Sequence, residues 1–168
     1  MTVPVVVLAA GAASRFGSPK QLLLLPHVLE RLRNCPLGPV VAVEGAYPLE
    51  GLRLEGVTVV RCPDWERGPG ASLRCGLAAL AADAPGALVV LADGPNLDPR
   101  SVDRILAHRR DADVVAASYG GVRGHPAYLA RSAWTNVPDG GMRVLHATLI
   151  PCDDLDEPGD VDTRDAWR

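Results

Sequence analysis

The sequence predicts an α/β domain in which helices cover both faces of a mostly parallel sheet. Short Val-rich runs, most of them apolar throughout, alternate with segments whose apolar residues recur at helical spacing. Strands covered on both faces read as continuous apolar runs of this kind, whereas strands with one wet face alternate. The chain has 168 residues and no repeat or low-complexity linker, so we expect a single domain over residues 1–168.

The predicted elements follow one another along the chain. Strands are expected at residues 3–9, 40–43, 57–61, 87–92, 114–117 and 148–152. Two sets of apolar residues mark helices: Leu73, Leu77 and Leu80, then Val102, Ile105 and Leu106. Asp98 and Pro99 give the second of these helices an N-cap and a first-turn proline. Ligands of such sheets bind beyond the carboxyl ends of the strands, so we expect the functional site in the loops there.

Composition and charge exclude several classes of protein. Hydrophobic residues make up 48% and charged residues 22%, the balance of a globular domain. A net charge of −3 without a block of like charge argues against nucleic acid as a partner. No apolar run approaches the ~20 residues of a membrane span and no basic region precedes the first one, so we expect a cytoplasmic protein that does not bind membranes. The four cysteines form no C-x-x-C pair, which favours reduced, mostly buried thiols over a zinc site or a disulfide framework.

The stretch "LAAGAASRFGSPK", residues 8–20, leaves the carboxyl end of the first predicted strand. Its small residues allow a ligand to approach the backbone N–H groups, and Arg15 and Lys20 add a forked donor and a point charge, which together suit a polyphosphate. The spacing is not that of a Walker loop, because five residues separate Gly11 from Gly17, and Ala13 takes the place of the second glycine of a dinucleotide fingerprint. The alternative is a glycine-containing turn that carries two solvated cations.

Five segments, in this order, resemble one known family. They read "LAAGAASRFGSPK", "CPDWERGPGASLRCGLAAL", "LVVLADGPNLDP", "GVRGHPAYLAR" and "GDVDTRDAW". The chain is similar over nearly its whole length to the MobA-like nucleotidyltransferases, and most similar to their molybdenum cofactor cytidylyltransferase branch. The resemblance implies a three-layer α/β/α, Rossmann-like (GT-A-like) fold. It also implies Mg²⁺-dependent transfer of a nucleoside monophosphate, with CTP favoured by Ala10 and the "GASL" segment, to a phosphate acceptor such as molybdopterin.

The resemblance assigns residues to both substrates. Arg15 and Lys20 are expected to neutralise the triphosphate and, with Asp93, to be catalytic. The expected nucleotide-binding residues are Leu8, Ala9, Ala10, Gly11 and Ala12 in the loop, and Asp64, Gly70, Ala71 and Ser72 on the base and ribose side. Ordinary helix entry, with Ser72 as a cap and Trp65 in the core, is the competing interpretation of the second group. Gly124 and His125 are expected to contact the acceptor, and Arg123 could pair with the acceptor phosphate or be a solvated turn residue.

Two carboxylates are candidate ligands of the metal. Asp93 follows "ALVVLA", where a buried strand ends, and a carboxylate there suits Mg²⁺. Asp162, in "GDVDT", is the second ligand by resemblance, although Asp160 competes with it because the two would point the same way on an extended segment. The turn after Asp93 offers it an alternative role as a turn-capping carboxylate.

The chain departs from the family pattern at three places. No glycine follows Lys20 in "QLLLLPHVLERL", Gly94 replaces a polar side chain of the family next to the metal position, and the last motif lacks its common Pro-Glu. These changes leave two alternatives open: a sugar-phosphate or related nucleotidyltransferase, and a non-catalytic nucleotide- or cofactor-binding accessory protein. The expected partners are a nucleoside triphosphate and a small phosphorylated acceptor, with a molybdoenzyme or its chaperone as a further protein partner.

Overall fold

A computed structural model describes residues 2–11, 20–50, 52 and 54–159 of the chain. Its strands are β1 (Val3–Ala9), β2 (Leu37–Glu44), β3 (Val57–Arg61), β4 (Gly86–Leu91), β5 (Val114–Tyr119), β6 (Val122–Ala130) and β7 (Thr148–Pro151). Its α-helices are α1 (Lys20–Arg33), α2 (Pro69–Ala78) and α3 (Pro99–Ala107). Three 3₁₀ helices lie at Trp65–Arg67, Arg131–Asn136 and Met142–Val144.

The seven strands form one sheet in the order β3-β2-β1-β4-β6-β5-β7. Every neighbouring pair is parallel except the two that include β6, which runs antiparallel to both β4 and β5. The expected mostly parallel sheet is therefore confirmed. Because β6 runs in the opposite direction, its amino end lies at the same edge of the sheet as the carboxyl ends of β1 and β4. This edge is called the carboxyl edge below.

The sequence pattern did not predict β6. Gly124 and Pro126 interrupt its apolar run, and both are residues that weaken a strand prediction. The structure accommodates them where the pairing is irregular, because the register between β5 and β6 shifts between Ala116 and Ser118. Pairing between β4 and β6 also stops at Val89 and Ala127, so the amino-terminal part of β6 diverges from β4.

Two apolar clusters hold the layers together, one on each face of the sheet. One cluster packs α1 and α3 against the sheet, and the other packs α2 against the opposite face. Gly76 allows α2 to lie very close to β1, since a Cβ at this position would stand 2.5 Å from Val6 Cγ1. Asp98 caps α3 by accepting a hydrogen bond of 2.9 Å from the backbone N–H of Arg100, which confirms the predicted N-cap.

One pair of cysteines corrects the prediction of reduced thiols. Cys62, directly after β3, and Cys75, in α2, form a disulfide with their Cα atoms 5.8 Å apart. The sequence gives no direct sign of it, because the two meet only when the turn after β3 brings α2 back over the sheet. Cys35 and Cys152 are free, in agreement with the expectation.

In the part of the chain that the structure describes, no helix is both long enough and apolar enough to cross a membrane.

Candidate active site at the carboxyl edge

The centre of the site is an ion pair between Lys20 and Asp93. Asp93 lies two residues beyond the end of β4, and Lys20 is the first residue of α1. Lys20 Nζ lies 3.0 Å from Asp93 Oδ2, and the two side chains are only 13% and 22% exposed. The sequence analysis named both residues from separate motifs, and the parallel β1–β4 pair brings them together at one edge of the sheet.

The second carboxylate oxygen of Asp93 is not engaged by any of the described residues. Asp93 Oδ1 is buried and unpaired among the described residues. A buried acceptor without a donor is costly, and a carboxylate oxygen is the ligand that hard cations prefer. Asp93 therefore fits a divalent cation. No group of three candidate ligands occurs among the described residues, and Asp162 and Asp160, the other candidates, lie outside them.

The start of the loop after β1 is held by the protein's own hydrogen bonds. Leu8 O accepts from Ala92 N at 3.0 Å, and Ala10 O accepts from Ala46 N at 3.1 Å. Gly11 is exposed, and its carbonyl accepts from the side-chain amide of Gln21. The rest of the loop, including Ala12 and Arg15, lies outside the described residues.

Gln21 and Glu44 are site residues that the sequence analysis did not single out. Gln21 is 4% exposed, and its Oε1 is a second buried acceptor without a partner among the described residues. Glu44 ends β2, is largely buried, and accepts a hydrogen bond of 2.7 Å from Leu49 N. Glu44 thereby fixes the loop after β2, which bonds to Ala10. Neither residue belongs to a recognisable motif, and only the tertiary structure shows its place.

The expected base and ribose side contains one exposed residue and three buried ones. Asp64 is exposed, whereas Gly70, Ala71 and Ser72 are buried at the start of α2. The N–H of Gly70 donates to Asp139 O at 2.9 Å, and that of Ala71 donates to Gly68 O at 3.1 Å. In this arrangement both backbone donors are engaged within the protein, so Asp64 is the more accessible candidate.

Ala10 packs beside Trp65. Ala10 is 6% exposed and belongs to the apolar cluster against which Trp65 packs. Gly45 lies close to both residues, since a Cβ there would lie 2.6 Å from Trp65 Cγ and 2.8 Å from Ala10 O. The methyl group of Ala10 is thus covered largely by protein.

Gly124 and His125, the residues expected to contact the acceptor, line a cavity where β4 and β6 diverge. The cavity has a volume of about 170 Å³, and its lining includes Gly94, Tyr119, Gly124, His125 and Glu157. Burial, and then the charge of Arg123, lower the pKa of His125 to about 4, so its imidazole is neutral at physiological pH. The hydroxyl of Tyr119 donates to His125 O at 2.8 Å and holds this end of β6 in place.

Two sequence features of this side have a structural explanation. A Cβ at Gly94 would lie 3.0 Å from Pro158 Cβ, so the glycine leaves room for the segment that follows β7. Arg123 does not bond to a carboxylate among the described residues; it donates to Leu145 O and Met142 O, each at 2.6 Å. Arg123 is therefore neither a solvated turn residue nor free to move to an acceptor phosphate without breaking these bonds.

Comparison with known proteins shows the family and the fold to which the chain is similar. GlmU, a bifunctional protein of Mycolicibacterium vanbaalenii, is 37% identical over an alignment of 132 positions. The alignment covers 68% of this chain and 26% of GlmU, so the chain spans about a quarter of that relative's length. A homologue of Mycobacterium tuberculosis Rv0371c from Mycobacterium sp. strain JC1 is 28% identical in sequence, and its crystal structure matches this chain with a TM-score of 0.83. The match covers 98% of this chain and 92% of the homologue.

Rv0371c of M. tuberculosis H37Rv in complex with manganese is 26% identical, with a TM-score of 0.77, and covers 100% of this chain and 97% of its own. These likenesses confirm the expected α/β nucleotidyltransferase-like fold. The family model described as the MobA-like NTP transferase domain matches residues 5–143. This match takes in most of the sequence, including the loop after β1, Asp93 and His125, and the chain therefore belongs to the MobA-like NTP transferase domain family.

Proposed function

We propose that this protein transfers a nucleoside monophosphate, with CMP from CTP favoured, to the phosphate of a small acceptor such as molybdopterin, and releases pyrophosphate. The single observation that carries the proposal is the Lys20–Asp93 pair, with its unpaired carboxylate oxygen, at the edge where the small-residue loop leaves β1. The Lys20 ammonium is a charged hydrogen-bond donor, and the adjacent Asp93 carboxylate has an oxygen whose lone pairs are not used within the described residues. Together they suit a triphosphate that carries a bound metal ion.

The loop and Lys20 bind the triphosphate in this proposal. Backbone N–H groups of Gly11 and Ala12 donate to phosphate oxygens, and Arg15 and Lys20 neutralise their charge. Lys20 begins α1 with its side chain mostly buried, so its ammonium is positioned before the substrate arrives. Pre-positioned donors stabilise charge that develops on the leaving pyrophosphate without reorganising during the reaction.

Asp93, together with Asp162, would hold a divalent cation, Mg²⁺ in our proposal. The unpaired Oδ1 of Asp93 supports this role, and so does the manganese complex of the M. tuberculosis relative. When bound, such a cation supplies charge neutralisation at the α-phosphate and the leaving group.

The acceptor phosphate is the nucleophile, and the protein needs no general base. An acceptor phosphate oxygen forms a bond to the α-phosphorus, and the bond from this phosphorus to the bridging oxygen breaks, so pyrophosphate leaves with the electron pair. An ionised phosphate has no proton to give up. His125 with a pKa of about 4 is a poor base at neutral pH but a good neutral hydrogen-bonding group for the acceptor beside Gly124.

Measurement of pyrophosphate release tests the proposal. The full chain is incubated with Mg²⁺, each of the four common nucleoside triphosphates, and a panel of acceptors that includes molybdopterin and sugar phosphates. We expect release that depends on CTP, Mg²⁺ and molybdopterin together. Release with a sugar phosphate alone would replace the acceptor assignment, and nucleotide binding without release for any acceptor would indicate a non-catalytic binding protein.

A further inference from the structure

The segment of residues 137–145, called the strap below, contacts both sides of the site. The sequence analysis assigned it no role. On the nucleotide side, Arg74 of α2 donates from Nη1 to Val137 O at 2.8 Å and from Nη2 to Asp139 Oδ1 at 2.6 Å. Arg67 Nη2 lies 3.3 Å from Asp139 Oδ2. One carboxylate of the strap therefore bridges two arginines that flank the glycine turn of residues 68–70.

The backbones of the strap and the turn lie in direct contact. A Cβ at Gly70 would overlap Pro138 O, and a Cβ at Gly68 would overlap Asp139 O. Gly68 also has a φ of +131°, which favours glycine. Together with the hydrogen bond from Gly70 N to Asp139 O, these contacts hold the backbone of the strap in a fixed position against the start of α2.

Arg123 holds the other end of the strap. Its guanidinium donates to Met142 O and Leu145 O, each at 2.6 Å. Arg123 lies in β6 two residues before His125, which lines the acceptor cavity. Among the described residues, the Arg123 guanidinium donates hydrogen bonds to these two carbonyl oxygens and to no carboxylate. The strap thus joins the start of α2 to the start of β6.

We infer that Asp139 is a positioning residue whose carboxylate, through Arg67 and Arg74, sets the glycine turn on the nucleotide side, and that the strap couples this turn to the acceptor strand held by Arg123. The inference rests on the proposed function for the identity of the two ligands. The inferred coupling, that greater mobility at one end of the strap increases mobility at the other, rests only on the contacts above.

The first test uses hydrogen exchange of the ligand-free full chain and needs no substrate. Asp139→Ala removes both arginine contacts, whereas Asp139→Asn keeps an acceptor oxygen for Arg74. Asp111→Asn is the matched control, because Asp111 pairs with His108 at the exposed end of α3. We expect Asp139→Ala to speed amide exchange at least fivefold in residues 67–74 and also in residues 122–126, Asp139→Asn to do so less, and the control to change neither. Faster exchange in residues 67–74 alone would overturn the coupling.

The second test separates positioning from general stability. With CTP and molybdopterin, we expect Asp139→Ala to raise KM for both substrates about three- to tenfold while kcat changes less than twofold. Arg123→Ala should change KM and kcat in the same way. The KM values of the double variant should not exceed those of the more affected single variant, because both changes release one strap. Effects that multiply in the double variant, or a change in kcat alone, would overturn the inference. A parent that binds no nucleotide refutes the proposed function, while the exchange measurement still decides the role of the strap.

Discussion

The two sides of the carboxyl edge differ in their charge. At the end of β4, Asp93 and Lys20 are full charges 3.0 Å apart, and one carboxylate oxygen has no partner among the described residues. At the start of β6, His125 is held neutral by burial and lines a small cavity. A charged centre next to a neutral one suits a reaction in which the triphosphate needs neutralising and the acceptor, already an anion, needs only orientation.

The difference between the two sides also bears on stability. An unpaired buried acceptor and a desolvated ion pair cost free energy in the ligand-free protein, whereas a neutral imidazole in a cavity does not. We therefore expect ligands to stabilise the charged side more than the neutral side. The four predictions below test this contrast, beginning with the largest effect.

Asp93→Ala should lower the rate of pyrophosphate release by about a hundredfold or more, because it removes the carboxylate proposed to hold the cation. The substitution also removes Asp93 Oδ1, a buried acceptor without a partner among the described residues, so the fold should persist. Steady-state pyrophosphate release measures the first effect, and thermal unfolding measures the second. A variant that retains the parent rate would remove Asp93 from the mechanism.

Lys20→Ala should weaken CTP binding about tenfold or more through loss of a pre-positioned cation. A solvated cation contributes little to stability, but Lys20 is only 13% exposed and is paired with Asp93. We expect a loss of about 1–3 kcal/mol in the free energy of unfolding, because the Asp93 carboxylate is left without its partner. Calorimetric CTP titration and urea unfolding measure the two effects. Lys20→Arg is the control, and a loss of affinity without any loss of stability would contradict the pairing.

The stability of the protein should depend on pH through His125, on the neutral side of the site. The folded-state pKa of His125 is lowered to about 4 from an ordinary value of 6.5. Its contribution to stability is therefore complete above about pH 6.5 and is lost as the pH falls toward 4, since the unfolded chain takes up the proton first. The full difference is about 3 kcal/mol as an upper limit. Urea unfolding at pH 7 and pH 4.5 should show a smaller drop in the free energy of unfolding for His125→Asn than for the parent, and an equal drop would contradict the lowered pKa.

Ala10→Gly should have the smallest effect, on the choice of base. If the methyl group at this position narrows the base pocket, overpacking by guanine costs about 1–3 kcal/mol, roughly five- to a hundredfold in binding. Because Ala10 is largely covered and packs beside Trp65, we expect the exclusion to act through the position of that indole. CTP should bind the parent more tightly than GTP, and the variant should narrow the gap by improving GTP binding. Equal affinities in the parent would contradict the cytidylyl assignment alone.

The parallel half of the sheet was predictable from sequence because most of its strands contain a short, Val-rich apolar run. β1 and β3 lie within the predicted bounds, 3–9 and 57–61, and Lys20 and Asp93 meet because parallel strands end at one edge. β6 was missed because Gly124 and Pro126 break its run, and its pairing depends on β4 and β5 on either side.

Contacts that depend on tertiary structure were not predictable. Asp139 meets Arg74 across 65 residues, and the Cys62–Cys75 disulfide needs α2 to fold back on β3. Neither has a local pattern, since an aspartate in a glycine-rich turn reads as an ordinary turn residue. The sequence thus indicated the charged side of the site, while the strap that holds its glycine turn appears only in the folded chain.

Binding of Mn²⁺ in the presence of CTP tests the central claim most directly, because it asks whether Asp93 holds a cation on a bound triphosphate. Electron paramagnetic resonance counts free Mn²⁺ in titrations of the parent, Asp93→Asn and the control Asp111→Asn, at a fixed concentration of CTP. The account predicts a protein–Mn²⁺–CTP complex for the parent and the control, and at least tenfold weaker binding of Mn²⁺ to Asp93→Asn. Equal binding by the parent and Asp93→Asn would contradict it.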